Sequence, residues 1–227
     1  MSEQNIIVTG GASGLGAAVV QATLDAGNRP IVLDRQEPAL DVPSVPVDLA
    51  DSDKTERVVR EAAEQHGGLD AVVTCAGTDA CGRLEDVPSD DWNRVVQVNL
   101  MGTVATVRGA LPSLRERHGK VVTIASTLGL RALSDATAYC ASKFAVVGFT
   151  RALAAELAGD VGVTLIVPGG MQTAFFDGRP DQYKPGPDAV LNPPSEVARA
   201  IMFALAAPPG SEIREIVAAA SVESSWP

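Results

Sequence analysis

The chain has 227 residues, a length that fits one large domain and leaves little room for two domains with separate cores. Hydrophobic residues make up 46% and charged residues 20% of the sequence, a globular balance that excludes disordered, collagen-like and low-complexity classes. The net charge of −10 is the wrong sign for binding nucleic acid or an anionic membrane, so neither is expected as a partner.

Short apolar runs alternate with longer helical patterns along the whole chain. This alternation is typical of βαβ units and predicts an α/β fold, a three-layer, doubly wound parallel sheet of about seven strands in a single domain over 1–227. The predicted strands are 6–9, 30–34, 45–47, 71–75, 120–125, 163–167 and 213–217. The predicted helices are 15–26, 53–65, 91–111, 136–157 and 195–206.

The segment between the second and third predicted strands contains Pro38, Pro43 and Pro46, which leave no room for a helix. We therefore expect a shortened crossover and a thin cover over that end of the sheet.

A glycine-rich turn, TGGASGLG at 9–16, follows the first predicted strand and opens the first helix. The unpaired amides and the dipole of a helix start favour an anionic pyrophosphate. Ala17 stands where a triphosphate-binding loop would need lysine, so a dinucleotide is favoured. A tight turn without a ligand is the alternative. The candidate cofactor contacts are Gly10, Ser13, Gly14, Leu15 and Gly16.

An acidic residue closes the second predicted strand and favours one cofactor. Asp34 lies where a carboxylate accepts hydrogen bonds from the adenosine ribose hydroxyls and repels a 2′-phosphate, which predicts NAD(H). Arg35 beside it favours NADP(H) instead, but the glycine turn offers Ser13 and no second basic residue. The alternative for Asp34 is a turn-forming role.

Tyr139 and Lys143 are four residues apart and share one face of a predicted helix. Ser126 lies at the end of the fifth predicted strand, and the carboxyl ends of such strands face the cofactor crevice. We therefore expect these three polar groups to converge there. A chance pair on a solvated helix is the alternative for the tyrosine and lysine.

Taken together, these motifs resemble the short-chain dehydrogenase/reductase (SDR) family, in its compact, single-domain branch with a Rossmann-type fold. The resemblance covers nearly the whole chain. The motifs occur in the order TGxxxGxG at 9–16, Asp48-Leu49, Ala76-Gly77, Asn99, Ser126, YxxxK at 139–143, and PGxxxT at 168–173. Two departures are Cys75, where the family commonly has a polar residue, and the missing helix after Asp34, which predicts weak cofactor binding.

The resemblance implies roles for the remaining motif residues. Asp48 would touch the adenine ring with Leu49 beside it, and Ala76 and Gly77 would pass beside the adenosine ribose. After Pro168, Thr173 would reach the nicotinamide carboxamide or the diphosphate. Asn99 would bind a water that links the lysine to solvent.

Hydride transfer between a cofactor and a carbonyl carbon needs an acid and base at the substrate oxygen. Free tyrosine, with a pKa of about 10, is a poor base near neutrality. We expect Lys143 and an oxidised nicotinamide to lower the pKa of Tyr139 by about three units, and Ser126 to orient the substrate oxygen. The predicted activity is interconversion of a secondary alcohol and a ketone.

Three other functions are alternatives to this one. A serine hydrolase is disfavoured because GxSxG is absent and both His66 and His118 precede Ser126. A 3-oxoacyl (acyl-carrier-protein or CoA) reductase is disfavoured by Asp34 and by the acidic charge. A dinucleotide sensor without catalysis stays open, although the intact Ser126, Tyr139 and Lys143 argue against it.

The substrate walls are predicted at 78–88 and 127–135, with a lid at about 174–194. The apolar side chains there predict a mainly apolar ketone and are Leu84, Leu128, Leu130, Leu133, Phe175, Phe176 and Tyr183. Four cations are candidates for holding an acidic group, with solvated surface charge as the alternative for each: Arg83, Arg131, Arg179 and Lys184.

Cys75, Cys81 and Cys140 have no metal-like spacing, so we expect free thiols, no metal site and a reducing compartment. No leader peptide or membrane-length apolar run is evident, and the cytoplasm is the expected location. By resemblance, a homodimer or homotetramer would form through the predicted helices 91–111 and 136–157.

Overall fold

Seven parallel strands form the central sheet of the computed structural model, which describes residues 3–208 and 210–226. The strands are β1 (Asn5–Thr9), β2 (Arg29–Asp34), β3 (Ser44–Pro46), β4 (Ala71–Thr74), β5 (Lys120–Ile124), β6 (Gly162–Pro168) and β7 (Glu215–Ala218). They are arranged in the order β3-β2-β1-β4-β5-β6-β7, so the direction of winding reverses between β1 and β4. In such sheets the crevice for ligands lies at that reversal. The predicted domain limits at 1 and 227 lie outside the described residues.

Helices cover both faces of the sheet. They are α1 (Gly14–Asp25), α2 (Ser52–Gln65), α3 (Ser89–Val96), α4 (Gly102–Arg117), α5 (Thr137–Glu156) and α6 (Pro194–Leu205). The strands contribute side chains to cores on both faces of the sheet, because successive side chains point to opposite faces. Ile7 packs into a core with α2, α4 and α5, whereas Ile6 and Val8 pack into a core with α1 and α6. The predicted three-layer α/β fold in a single domain is confirmed.

The predicted helix over 91–111 differs from the structure in two ways. The helical segment begins earlier, at Ser89, and contains one π-helical turn at Gln97–Met101 between α3 and α4. It also continues through Pro112 to Arg117. The fully buried side chain of Leu114 anchors this last part to the core, so packing outweighs the missing proline amide.

The segment between β2 and β3 has no helix among the described residues, as its prolines predict, and β3 is only three residues long. The other predicted strands and helices are present with ends displaced by a residue or two. Within the described part of the chain, no helix has the length and apolarity required to span a membrane.

Candidate active site

A cavity of about 750 Å³ opens along the carboxyl ends of the strands. Its size is within the range of small-molecule and cofactor sites. All but one of the predicted site residues line it, and these are Gly10, Ser13, Gly14, Leu15, Gly16, Asp34, Arg35, Asp48, Leu49, Ala76, Gly77, Ser126, Tyr139, Lys143, Pro168 and Thr173. The exception is Asn99.

The glycine turn is shaped by close backbone contacts. A Cβ at Gly16 would lie 2.0 Å from the carbonyl oxygen of Gly10, and Gly10 itself has a φ of +68° and lies against Ala76. Helix α1 begins at Gly14, and the Ser13 side chain makes no capping hydrogen bond to it. The first amides of α1 therefore face the cavity without a side-chain acceptor, an arrangement that fits a pyrophosphate group.

Asp34 lies at the carboxyl end of β2 and is tied to the glycine turn. Its Oδ2 accepts a hydrogen bond from the Ala12 amide at 3.1 Å, and its Oδ1 accepts one from the Gln36 amide at 3.0 Å. The carboxylate is fixed at the cavity edge and only partly buried. A carboxylate oxygen has two lone pairs, so ribose hydroxyls can still donate to both oxygens.

Asp48 has a partner that the sequence did not predict. Arg94, on α3, donates from Nη2 to Oδ1 and Oδ2 of Asp48 at 3.1 and 2.9 Å, and the Ala50 amide donates to Oδ1 at 3.0 Å. Burial by itself would raise the pKa of Asp48, but the Ala50 amide, Arg94 and Arg35 outweigh it, and the pKa is lowered. A charged Asp48–Arg94 pair therefore borders the cavity near Asp34.

Tyr139, Lys143 and Ser126 converge at the opposite end of the cavity. Lys143 is only 4% exposed, and its Nζ donates to the Ile124 carbonyl at 2.9 Å and lies 5.6 Å from the centroid of the Tyr139 ring. Tyr139 forms a side-chain hydrogen bond with Ser126. The Ser126 Oγ also accepts from the Leu128 amide at 3.1 Å, which fixes the serine at the end of β5.

Without the oxidised nicotinamide of the expected complex, burial dominates the pKa of Tyr139. Burial raises the pKa of Tyr139 to about 12, the Asp79 charge adds to the rise, and the bond with Ser126 and the Arg179 charge oppose it. Burial lowers the pKa of Lys143 to about 8, and the charge of Asp79 opposes this fall. The protein alone, with Lys143 in place, therefore keeps Tyr139 protonated near neutrality.

Asn99 lies behind the cavity wall in the π-helical turn. Its Nδ2 donates to the Thr78 carbonyl at 2.9 Å and to the Ser142 Oγ at 3.0 Å, and its Oδ1 accepts from the Thr78 amide at 2.8 Å. A Cβ at Gly77 would lie 3.5 Å from this Oδ1 and 3.7 Å from the Lys143 Nζ. The side chain therefore fixes the loop after β4 against α5 and lies directly behind the part of the cavity wall formed by Gly77 and Thr78.

Most of the apolar side chains predicted for the substrate walls line the cavity. Leu128, Leu133, Phe175, Phe176 and Tyr183 line the cavity, and the rings of Phe175 and Tyr139 lie 5.7 Å apart. Leu84 is 62% exposed, and neither it nor Leu130 is among the lining residues.

The four candidate cations separate into two groups. Arg83 and Arg131 do not line the cavity, and Arg131 donates to the Ser224 carbonyl at 3.0 Å. Lys184 lines it and pairs with the exposed Asp181 at 2.8 Å. Arg179 lines it and pairs with Asp79 at 2.5 Å.

The C-terminal segment contributes contacts that the sequence did not reveal. Glu223 accepts a hydrogen bond from the Gly170 amide at 2.8 Å, and the Ser225 Oγ lies 2.7 Å from the Thr127 Oγ. These bonds attach the end of the chain to the loop after β6 and to the turn after Ser126. Glu223 and Gly170 are 53 positions apart, and no local pattern signals such a contact.

The sequence matches the family model described as short chain dehydrogenase over residues 4–184. This match covers well over half of the chain. The chain belongs to the short-chain dehydrogenase family. As a member of that family it is a hydride-transferring oxidoreductase that acts on alcohol groups with NAD or NADP.

Curated relatives agree with this short-chain dehydrogenase assignment. An uncharacterized oxidoreductase of Staphylococcus aureus (strain MW2) is 31% identical, over 95% of this chain and 96% of the relative. The L-fucose dehydrogenase of Mus musculus is 34% identical, over 76% of this chain and 67% of the relative.

Among solved structures, an alcohol dehydrogenase of the archaeon Thermococcus sibiricus, complexed with 5-hydroxy-NADP, has a TM-score of 0.82. It is 23% identical, and the alignment covers 95% of this chain and 96% of that chain. At this identity the similarity supports the short-chain dehydrogenase fold alone.

Proposed function

We propose that this short-chain dehydrogenase interconverts a secondary alcohol and a ketone with NAD(H), using Tyr139 as the acid and base. The observation that carries the proposal is the convergence of Ser126, Tyr139 and Lys143 on one end of a cavity whose other end holds Asp34. Because the two groups border the same continuous space, one extended dinucleotide can reach both.

In the direction of ketone reduction, the Tyr139 hydroxyl donates its proton to the substrate oxygen as that oxygen gains negative charge. NADH, when bound, supplies the hydride to the carbonyl carbon, and NAD⁺ accepts it in the reverse direction. Ser126 donates a hydrogen bond to the same oxygen and fixes its position. In alcohol oxidation Tyr139 takes the proton back, which requires a lower phenol pKa than the protein alone provides.

Lys143 stabilises the phenolate by its charge. Its ammonium is held by the Ile124 carbonyl beside the Tyr139 ring in a site from which water is largely excluded. A charge pair in such surroundings is screened less than one at the surface. Asn99 acts as a positioning residue, because its amide holds the Thr78 loop and Ser142 next to this lysine.

The preference for NAD(H) over NADP(H) rests on Asp34. A 2′-phosphate would lie against a carboxylate that two backbone amides hold in place, so the carboxylate cannot easily turn away. Arg35 is the competing signal for NADP(H), but its charge also acts on Asp48.

For the substrate we propose a neutral ketone or alcohol with an apolar part. Leu128, Leu133, Phe175 and Phe176 line the cavity, and the Phe175 ring lies 5.7 Å from that of Tyr139. The segment at about 174–194 would act as its lid. Because one relative is named L-fucose dehydrogenase, free sugars belong in the substrate screen beside apolar ketones.

The test combines binding with turnover. Calorimetry with NADH and NADPH, followed by a ketone and alcohol screen, is run on the wild-type protein and on Tyr139→Phe. We expect NADH to bind both proteins, and kcat of the variant to fall at least about 100-fold because the proton donor is lost. A wild-type protein that binds NADH but converts no member of the screen would instead be a dinucleotide sensor.

Location and assembly complete the proposal. All three cysteines are free thiols in the structure, which suits a reducing compartment such as the cytoplasm. Two large apolar side chains are exposed at the helices expected to form a homodimer or homotetramer interface. Met101, in the turn before α4, is 37% exposed, and Phe144, on α5, is 44% exposed. Burial of these side chains against a second copy would support such an assembly.

A further inference from the structure

Asp79 and Arg179 form a largely buried ion pair at the substrate end of the cavity. Nη2 of Arg179 donates to Oδ2 of Asp79 at 2.5 Å, and the two side chains are 18% and 7% exposed. Asp79 belongs to the loop after β4, whereas Arg179 belongs to the proposed lid. Both act on Tyr139 electrostatically, in opposite directions. Both residues also line the cavity, so the pair borders the space expected for the substrate.

The arginine is held rigidly in this position. Its guanidinium carbon lies 5.0 Å and 4.6 Å from the ring centroids of Phe175 and Phe176, and its Nη1 donates to the Tyr183 carbonyl at 3.3 Å. The Tyr183 hydroxyl donates in turn to Oδ2 of Asp135 at 3.3 Å. A stacked guanidinium with several partners cannot swing out to solvent as a flexible surface charge does.

The carboxylate is equally fixed. Oδ1 of Asp79 accepts from the Ala80 amide at 2.7 Å, and Oδ2 accepts from the Cys81 thiol at 3.1 Å in addition to Arg179. Since both partners are preorganised, the pair forms without reorientation of either side chain.

The other cations that line the cavity are committed elsewhere. Arg35 and Arg94 act on Asp48 at the adenosine end, Lys143 is held beside Tyr139, and the Lys184 ammonium pairs with an exposed carboxylate. Among the lining residues that the structure describes, Arg179 is thus the buried cation best placed to hold an anionic group of the substrate. Asp79 occupies that position instead.

We propose that Asp79 masks Arg179 and thereby selects neutral substrates over carboxylates. This inference rests on the proposed function and specifies the substrate class of the same site. A substrate carboxylate at this end would meet the charge of Asp79 in a poorly screened environment, and it would have to replace a preformed partner of Arg179. Removing the Asp79 charge would turn Arg179 into an anion site.

The experiment compares carboxylates with neutral analogues in three proteins: wild type, Asp79→Asn, and the double variant Asp79→Asn/Arg179→Gln. Benzoylformate and methyl benzoylformate are compared by kcat/KM with NADH. Calorimetric titrations with benzoate and benzamide, with and without NADH, give a second readout that does not depend on turnover. Circular dichroism and thermal melts establish that each variant is folded.

We expect Asp79→Asn to raise the preference for the carboxylate about 10- to 100-fold, because a charged hydrogen bond to Arg179 becomes available. The double variant should lose this gain. Asp188→Asn is the matched control, since it removes an exposed carboxylate of the same segment that does not line the cavity, and its preference should stay at the wild-type value.

Three results would overturn the inference. The first is a folded Asp79→Asn protein with an unchanged preference in both readouts. The second is an equal gain in the single and double variants, which would assign the effect to lost repulsion by Asp79 and not to Arg179. The third is a wild-type protein that already prefers the carboxylate. If no protein reduces either ketone while benzoate binding follows the expected order, the masked anion site stands and the proposed ketone reduction fails.

Discussion

At the reaction end of the cavity the polar groups are buried, whereas at the adenosine end the charged groups are partly exposed. Lys143 is held by the Ile124 carbonyl and Asn99 by both polar groups of the Thr78 backbone. Asp48 and Arg94, by contrast, form an ion pair with side chains 42% and 38% exposed. The segment beside that pair has no helix among its described residues.

Because of this difference, we expect the two ends of the cavity to control two different properties, turnover and the choice of cofactor. The groups proposed to transfer the proton are fixed before a ligand arrives, so we expect them to need no reorganisation during the reaction. Charges at the adenosine end are screened by water, so each of them contributes less interaction free energy than a buried charge would. Substitutions at the reaction end should therefore abolish turnover, while those at the adenosine end should shift the choice of cofactor.

The largest effect is expected for Lys143→Met, which keeps a long side chain and removes the ammonium. We expect kcat for alcohol oxidation to fall about 100- to 10,000-fold, because Tyr139 loses the charge that stabilises its phenolate. Steady-state kinetics with saturating NAD⁺ measure this loss. A fall below about tenfold in a folded variant would contradict the comparison.

The buried lysine also predicts how stability depends on pH. The pKa of Lys143 is lowered from 10.5 to about 8 in the folded protein, so between these values the unfolded chain binds a proton that the native protein has released. The free energy of unfolding of the wild type, relative to Lys143→Met, should therefore rise with pH by about 2 kcal/mol between pH 8 and 9.5.

Urea unfolding of both proteins at a series of pH values measures this rise. Lys54→Met, which changes an exposed lysine on α2, is the control and should show no such rise relative to the wild type. If the free energies of unfolding of the wild type and Lys143→Met changed with pH in parallel, the lysine would be as solvated as a surface residue.

The smallest effect is expected at the adenosine end. Asp34→Asn should lower kcat/KM for NADH about 10- to 100-fold, since hydrogen bonds from the ribose to a charged group are weakened, and should narrow the discrimination against NADPH. Asp41→Asn changes an exposed carboxylate of the neighbouring segment and should leave the cofactor ratio unchanged. A loss of kcat with both cofactors would show that the two ends are coupled.

Much of the fold could be predicted because its signals are local. Each buried strand is a short apolar run, and the prolines after Asp34 exclude a helix wherever the chain goes next. The π-helical turn at Asn99 was not predictable, since one extra residue in a turn hardly changes the helical pattern of side chains. The extension of α4 past Pro112 depends on core packing around Leu114, which is a tertiary effect.

The site also contains features that local sequence signals predict and features that depend on the folded chain. Tyr139 and Lys143 are four positions apart, so their neighbourhood follows from helical geometry. Asp79 and Arg179 are 100 positions apart, and only the folded chain shows that one neutralises the other. The direction in which burial shifts the pKa of Tyr139 could not be predicted from the sequence, because it depends on how far the folded walls exclude water.

The hydrogen bond between Gly170 and Glu223 determines when the site can become complete during synthesis of the chain. Gly170 leaves the ribosome well before Glu223, the residue whose carboxylate holds its amide. The sheet has nearly all of its strands by then, but the loop next to the expected nicotinamide position still lacks its acceptor. A nascent chain can therefore form most of its core before the site is complete, because the loop at Gly170 acquires its acceptor only after Glu223 emerges.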